Sequence, residues 1–170
     1  MPYSIGYYKE NIRQHFLENV AKNSKILDAG AGCGTYSVLL KEHFPNMDGL
    51  EIFAEYDKMF DLKSKYDNLF IADILEFDVS GYDYVILGDI IEHLSVENAQ
   101  RLLNEINDRD ILCMVGVPYM FEQGPEFNNV HETHLQPDLT HEVFMERYPH
   151  MKLFWKNEAY GYYVNYDYNG

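Results

Sequence analysis

A glycine-rich turn between a short apolar run and an amphipathic segment constrains this chain more than any other feature. Residues 25–28 (KILD) have the composition of a short buried strand, and residues 29–34 (AGAGCG) follow directly. Apolar side chains then recur at positions 36, 39, 40 and 44, a helical spacing that ends before Pro45. The pattern predicts a strand, a tight turn and a helix. Glycines let the backbone turn sharply and approach a ligand closely, although a turn that binds no ligand uses them too.

Strands and helices alternate along most of the remaining chain. We predict further strands at 47–50, 69–72, 82–87 and 111–117, and helices at 8–20, at 54–65 and after Ser95. Such alternation is typical of a doubly wound, mostly parallel α/β sheet. There is no repeat and no linker composition, so 170 residues predict a single domain, 1–170, in which residues 1–22 form a lead-in helix or lid.

The C-terminal segment departs from this alternation. Two strand-like runs, 152–156 and 159–168, are separated only by Asn157 and Glu158, and so short a connection joins antiparallel strands. The predicted sheet therefore has seven strands and ends in an antiparallel hairpin. Tyrosines alternate along the last run, which predicts one aromatic face. Such a face belongs to the core more often than to a ligand platform.

The charge balance narrows the class of partner. The chain carries 28 acidic and 13 basic side chains, a net charge of −15, and no basic patch offsets it. A field of this sign repels polyanions, so long nucleic acid is an unfavourable partner. No run is long and apolar enough for a membrane span, so we expect a soluble, cytoplasmic protein with no membrane partner. The oligomeric state does not follow from the sequence.

Acidic residues follow the second and third predicted strands. Glu51 lies about 20 residues after Gly30, the distance at which an acid binds ribose hydroxyls in dinucleotide-binding folds. Asp73 and Ile74 follow the next strand, at the edge where such sheets bind ligands. An N-cap or turn role explains Asp73 equally well. Together with the glycine turn, these placements predict an adenosyl-ligand site.

The chain resembles the class I S-adenosylmethionine-dependent methyltransferases, which have a Rossmann-like fold, from about residue 8 to 168. The matching segments are ILDAGAGCGTYS, GLEIF, IADILEFD and YDYVILGDIIEHL. The resemblance implies S-adenosylmethionine as cofactor, with its methionine part near the turn, its ribose on Glu51, its adenine framed by Asp73 and Ile74, and its reacting end above Gly88 and Asp89. The residues that it implies around the methionine part are Asp28, Gly30, Gly32 and Gly34.

The loop after the fifth predicted strand is long for a connection, which favours a functional role. It contains His131 and His134, the residues there best suited to proton transfer near neutral pH, so both are predicted catalytic bases. A solvated histidine without a role is the alternative. No cap domain is inserted, which favours a small-molecule acceptor methylated on a hydroxyl or, second, on an amine. The loop also lacks the Asn/Asp-Pro-Pro-Tyr signature of DNA amino-methylating enzymes.

An acidic and histidine-containing motif follows the fourth predicted strand. In a helical turn, Asp89, Glu92 and His93 fall at i, i+3 and i+4 and lie on one side. With His134 they would offer carboxylate and imidazole ligands for magnesium, manganese or zinc. The motif resembles that of metal-dependent O-methyltransferases, with Asp89 in place of their first Glu. Relatives thought to need no metal also contain it, and there the acid and the histidine hydrogen-bond the backbone or line the acceptor pocket. A divalent metal therefore stays one of two alternatives.

Two other functions fit the same glycine turn. One is an oxidoreductase with an NAD-type dinucleotide, and the other is a non-catalytic protein that binds an adenosyl ligand. The terminal hairpin favours methyl transfer, because dinucleotide-binding dehydrogenases usually continue with parallel strands.

Overall fold

Within residues 6–168, which the computed structural model describes, seven strands form one mixed sheet in the order β3-β2-β1-β4-β5-β7-β6. The strands are β1 (Ile26–Ala29), β2 (Met47–Glu51), β3 (Leu69–Ile71), β4 (Tyr84–Gly88), β5 (Leu112–Pro118), β6 (Lys152–Lys156) and β7 (Tyr160–Val164). The helices are α1 (Lys9–Asn19), α2 (Thr35–Leu40), α3 (Glu55–Phe60), α4 (Val96–Asp108) and α5 (His141–Arg147).

The strand pairing confirms the predicted architecture. β2 pairs in parallel with β1 on one side and with β3 on the other. β7 pairs antiparallel with both β5 and β6, so the sheet ends in the expected hairpin. This is the mostly parallel, seven-stranded α/β sheet that the sequence predicts.

The described residues divide into two compact units, one up to Val85 together with Tyr168, the other Ile86–Asp167. In the first unit α1 buries Ile12 and Phe16, and the Phe16 ring packs 5.8 Å from that of Phe44. Of the predicted lead-in segment, residues 1–5 lie outside the described part. The single domain and the lid role stay predictions.

The second unit is organised around α4 and β5. The Ser95 side chain accepts a hydrogen bond from the backbone N–H of Asn98 and so caps α4, as the sequence predicts. The buried positions of α4 are Ala99, Leu102, Leu103 and Ile106, which share one face of the helix, and β5 is buried along nearly its whole length. Burial of α4 on one face only is what holds this short helix in place.

Two local predictions were wrong, and one helix was not predicted. The helix predicted at 54–65 breaks at Asp61, whose φ of 51° ends α3 and starts a separate 3-10 turn. β7 stops at Val164, short of the predicted residue 168, and all five of its residues are buried, so its burial does not follow the predicted alternation. Helix α5 was not predicted. None of the described helices is both long and apolar enough to cross a bilayer.

Candidate active site

The turn after β1 adopts a backbone that only glycines adopt readily. Gly30, Gly32 and Gly34 have φ values of 77°, 50° and 82°, all in the left-handed region. The backbone N–H groups of Gly30 and Ala31 both donate to the carbonyl of Leu50, at 2.8 and 2.9 Å, which ties the turn to the end of β2. Glycine at these positions is therefore a requirement of the local conformation.

Lys65 supports this turn, a role that the sequence did not reveal. Its Nζ donates to the carbonyl of Cys33 at 2.7 Å. A Cβ on Gly34 would lie 2.6 Å from the Lys65 Cδ, so a larger residue there would displace this side chain. In the sequence Lys65 lies in a mixed-charge segment that reads as a solvated surface.

Asp28 is buried at the end of β1 with its two oxygens in different situations. Oδ2 accepts a hydrogen bond from the Tyr66 hydroxyl at 2.6 Å. Oδ1 is buried and has no hydrogen-bond partner among the described residues. Burial raises the pKa of Asp28 to about 7, and the bond from Tyr66 opposes the rise. The acid predicted near the methionine part therefore has one unused acceptor atom.

Glu51 ends β2 beside the glycine turn. Its Oε2 accepts from the Gly32 N–H and its Oε1 from the Phe53 N–H, both at 2.9 Å. A carboxylate oxygen can accept more than one hydrogen bond, and a ribose hydroxyl would donate bonds of this kind. The structure thus brings together Glu51 and the glycine turn, as the sequence predicted.

Asp73 follows β3 and makes a local hydrogen bond, as expected for the alternative role as a turn or N-cap residue. Its Oδ1 accepts from the backbone N–H of Leu75 at 2.9 Å, an arrangement typical of a turn. Ile74 is buried beside it. A role for Asp73 and Ile74 at an adenine remains a prediction.

Asp89 follows Gly88, the last residue of β4, in a strained conformation. Its φ is 58°, uncommon for a residue with a side chain. Its backbone N–H donates to the carbonyl of Gly116 at 2.9 Å. Its Oδ1 accepts from the hydroxyl of Tyr160 at 2.8 Å. Tyr160 was predicted only as a core residue, because its distance in sequence hides this contact.

Glu92, His93 and His134 form a cluster of potential metal ligands. Their ligand atoms all lie within 4.8 Å of one another, and the two imidazole rings are 4.7 Å apart, edge to face. The motif lies on a 3-10 turn, Ile91–His93, rather than on an α-helix. Asp89, predicted as a fourth ligand, is not part of this cluster; its carboxylate is held by Tyr160.

The two imidazoles of the cluster are oriented by backbone carbonyls. The Nδ1 of His93 lies 3.2 Å from the carbonyl of Thr133, and the Nδ1 of His134 lies 2.7 Å from that of Phe121. Because a carbonyl only accepts, each Nδ1 carries the hydrogen and each Nε2 keeps its lone pair. Burial lowers the pKa of His134, and lowers that of His93 to about 4, so both rings are neutral near pH 7.

Glu92 is the buried acid of the cluster and is 1% exposed. Neither carboxylate oxygen has a hydrogen-bond partner among the described residues. Burial, and next the charge of Asp89, raise its pKa well above the usual value. A buried carboxylate without partners is costly, which distinguishes Glu92 from an ordinary core residue.

Gln136 holds the segment that carries Glu92, another role the sequence did not reveal. Its Nε2 donates to the carbonyls of Ile91 and Leu94, at 2.8 and 3.0 Å. Its Oε1 accepts from Arg147 and Tyr148, at 3.0 and 2.9 Å. The 3-10 turn is therefore fixed from a loop about 40 residues further along the chain.

The two predicted catalytic histidines differ in placement. His134 is buried in the cluster, whereas His131 is exposed and lies outside it. Only the backbone N–H of His131 is seen in a hydrogen bond, to the Asn129 side chain. The same loop exposes five large apolar side chains, namely Met120, Phe121, Phe127, Val130 and Leu135.

Known proteins resemble the chain in structure rather than in sequence. No protein-family model matches it, and no curated protein does. An S-adenosylmethionine-dependent methyltransferase from Clostridium acetobutylicum is 11% identical, with a TM-score of 0.67, over 94% of this chain and 91% of that one. The methyltransferase domain of bacterial CtHen1-CN is 19% identical, with a TM-score of 0.58, over 84% and 90%.

PigF, in a structure with SAH, gives a TM-score of 0.62 at 16% identity. The match covers 90% of this chain and 60% of PigF, so the chain spans less than two thirds of that protein. These likenesses show that the chain has the fold of S-adenosylmethionine-dependent methyltransferases.

Proposed function

We propose that this chain transfers the methyl group of S-adenosylmethionine to a hydroxyl, or second to an amine, of a small acceptor. The observation that carries the proposal is the glycine turn, in which a left-handed backbone, Glu51 and an unused oxygen of buried Asp28 lie together. The shared fold supports it. Methyl transfer asks the protein mainly to hold two reactants in line and to exclude water, because the sulfonium is already activated.

On the donor side, the unused Asp28 Oδ1 suits the amino group of the methionine part. The carboxylate of Glu51 suits the ribose hydroxyls, and Asp73 with Ile74 would bind the adenine. The resemblance assigns Gly88 and Asp89 to the reacting end. Each of these assignments is a proposal.

Calorimetry with S-adenosylhomocysteine and with NAD tests the donor. We expect S-adenosylhomocysteine to bind with a dissociation constant in the micromolar range, and NAD to give no heat. Binding of NAD without S-adenosylhomocysteine would instead support the oxidoreductase.

We further propose that Glu92, His93 and His134 hold a divalent metal. The fit rests on the two orphaned oxygens of Glu92 and on two imidazoles whose Nε2 atoms are left as acceptors. Two nitrogens and a carboxylate suit manganese or zinc, with positions open for an acceptor. When bound, such an ion lowers the pKa of an acceptor hydroxyl.

Metal dependence is tested by chelation and by direct binding. We expect excess EDTA to abolish methyl transfer and Mn²⁺ to restore it, with Glu92→Ala and His134→Ala each weakening Mn²⁺ binding measured by electron paramagnetic resonance. His131→Ala is the matched control, since His131 is exposed and outside the cluster. Full activity in EDTA would contradict the metal proposal and leave His131 and His134 as the proposed bases.

The acceptor is proposed to be small and weakly polar. The five exposed apolar side chains of the loop that carries His134 favour an acceptor with an apolar body. The net charge of −15 disfavours a polyanion. A panel of phenols, aliphatic alcohols and amines tests this proposal. Methylation only of amines would move the reaction from oxygen to nitrogen, and donor binding without any turnover would favour the non-catalytic alternative.

A further inference from the structure

Lys9, the first residue of α1, contacts the helix that follows the glycine turn. Its Nζ donates to the hydroxyl of Tyr36 at 2.9 Å and lies 4.1 Å from the centroid of that ring. Tyr36 is 3% exposed and follows Gly34 by two residues. A buried aromatic ring attracts a cation and limits where it lies. The Lys9 ammonium is therefore held at the start of α2, next to the turn.

The buried face of α1 fixes the position from which Lys9 extends. Ile12 and Phe16 are completely buried, and the Phe16 ring lies 5.8 Å from that of Phe44 and 4.6 Å from that of Tyr84. Close packing of this kind holds a helix in one place. Lys9 itself is half-buried. The contact between Lys9 and Tyr36 therefore depends on the packed core of this unit.

The charge of Lys9 acts on Asp28, the buried acid at the end of β1. It opposes the rise that burial causes in the pKa of Asp28, whereas the charge of Glu51 adds to that rise. Two acids and one ammonium therefore surround the turn. The methionine part of the proposed donor carries an amino group and a carboxylate. The acids suit the amino group but repel the carboxylate, which needs a cation nearby.

We propose that Lys9 binds the carboxylate of the methionine part of S-adenosylmethionine, while Asp28 accepts from its amino group. The inference rests on the proposed donor, and it gives α1 a part in the donor site. A lysine ammonium is a compact charge on a flexible stem, which suits a carboxylate. Lys65 is a second lysine at the turn, but its Nζ donates to the carbonyl of Cys33, so Lys65 supports the shape of the turn.

Calorimetry tests the inference with two ligands that differ only in this group, S-adenosylmethionine and its decarboxylated form. The unaltered chain should bind S-adenosylmethionine at least tenfold more tightly than the decarboxylated form, because only the first makes the charge-assisted bond. Lys9→Met should weaken binding of S-adenosylmethionine at least tenfold and change binding of the decarboxylated form by less than threefold. A merely structural role of Lys9 would weaken both ligands alike.

Lys22→Met is the matched control, because it removes an exposed lysine shortly after the end of the same helix. It should leave both affinities unchanged, whereas Lys65→Met should weaken both ligands by a similar factor. Circular dichroism checks that each variant is folded. A preference for the carboxylate that survives in Lys9→Met, or that is absent from the unaltered chain, overturns the inference while the proposed donor stands. Binding of neither ligand to the unaltered chain overturns both.

Discussion

In the glycine turn after β1, the carboxylate of the buried Glu51 accepts hydrogen bonds from two backbone amides, whereas in the cluster after β4 the carboxylate of the buried Glu92 accepts none from the described residues. The first carboxylate stabilises the loop that surrounds it. The second costs folding free energy, because a buried acid without hydrogen-bond partners is unfavourable, and burial raises its pKa. The difference teaches that a buried acid in a ligand site can be stabilised by its own segment. Alternatively, it can depend on a bound ion, such as the proposed metal, to offset the cost of its burial.

The two regions also differ in what holds them. The glycine turn is shaped mainly by glycines within it and by the adjacent end of β2, with one further hydrogen bond from Lys65. The Glu92–His93–His134 cluster is held by Gln136 and by carbonyls of the loop after β5. Substitutions outside the motif should therefore damage the cluster more than the turn.

The largest expected effect concerns Asp28, whose Oδ1 is buried without a hydrogen-bond partner among the described residues. Asp28 has a pKa of about 7 in the folded chain against an ordinary value of 3.8. The folded state thus holds the proton more tightly, and stability from this group is lost as the pH rises through 7. Asp28→Asn should be more stable than the unaltered chain at pH 8, by up to about 4 kcal/mol, with the gain vanishing near pH 4.

Urea unfolding from pH 4 to 8 measures this difference. Asp138→Asn is a control of opposite sign, because the hydrogen bond from Arg147 lowers the pKa of Asp138. A gain in stability of Asp28→Asn that does not vary with pH would contradict the raised pKa. Asp28 would then resemble Glu51, as an acid that the surrounding segment stabilises.

The second effect tests whether the cluster depends on distant support. Gln136→Leu leaves the carbonyls of Ile91 and Leu94 and the donors of Arg147 and Tyr148 without this partner. We expect the free energy of unfolding to fall by about 3 kcal/mol and Mn²⁺ affinity to fall with it. Chemical unfolding and metal titration measure the two losses.

Gln100→Leu is the matched control, since it removes one exposed bond to the carbonyl of Arg147. Its effect should stay below about 1 kcal/mol. Equal losses in the two variants would mean that Gln136 gives the cluster no special support.

The third effect tests the turn. Glu51→Ala should weaken S-adenosylhomocysteine binding by about 1 to 3 kcal/mol, the usual value of charge-assisted hydrogen bonds. Glu55→Ala, a nearby exposed acid, should leave the calorimetric affinity unchanged. Unaltered affinity in a folded Glu51→Ala chain would remove Glu51 from the donor site.

The smallest expected effect is on the binding of nucleic acid, because the sequence contains no basic patch near either region. A net charge of −15 supplies few phosphate contacts, so gel-shift experiments with RNA and DNA should show no sub-micromolar binding. Tight binding that weakens with salt would contradict the proposed small acceptor. A short oligonucleotide end, bound through few phosphates, stays compatible with the charge.

Local sequence predicted most of the sheet and the glycine turn. Strand positions followed from short apolar runs, and the hairpin followed from the two residues between 156 and 159. The misplaced features depend on tertiary context: all five residues of β7 are buried, which the alternation of its tyrosines does not indicate. The break at Asp61 depends on a left-handed conformation that no periodicity reports.

By itself the sequence determined the α/β sheet, the turn of Gly30, Gly32 and Gly34, and the neighbourhood of Glu51, because these depend on residues close in the chain or on adjacent strands. Only the tertiary structure decided which side chains of the Asp89 to His93 motif meet His134. Tyr160 bonds Asp89, and Gln136 fixes the turn that carries Glu92. Contacts between residues 40 to 70 positions apart are set by packing, and no local pattern in the sequence encodes them.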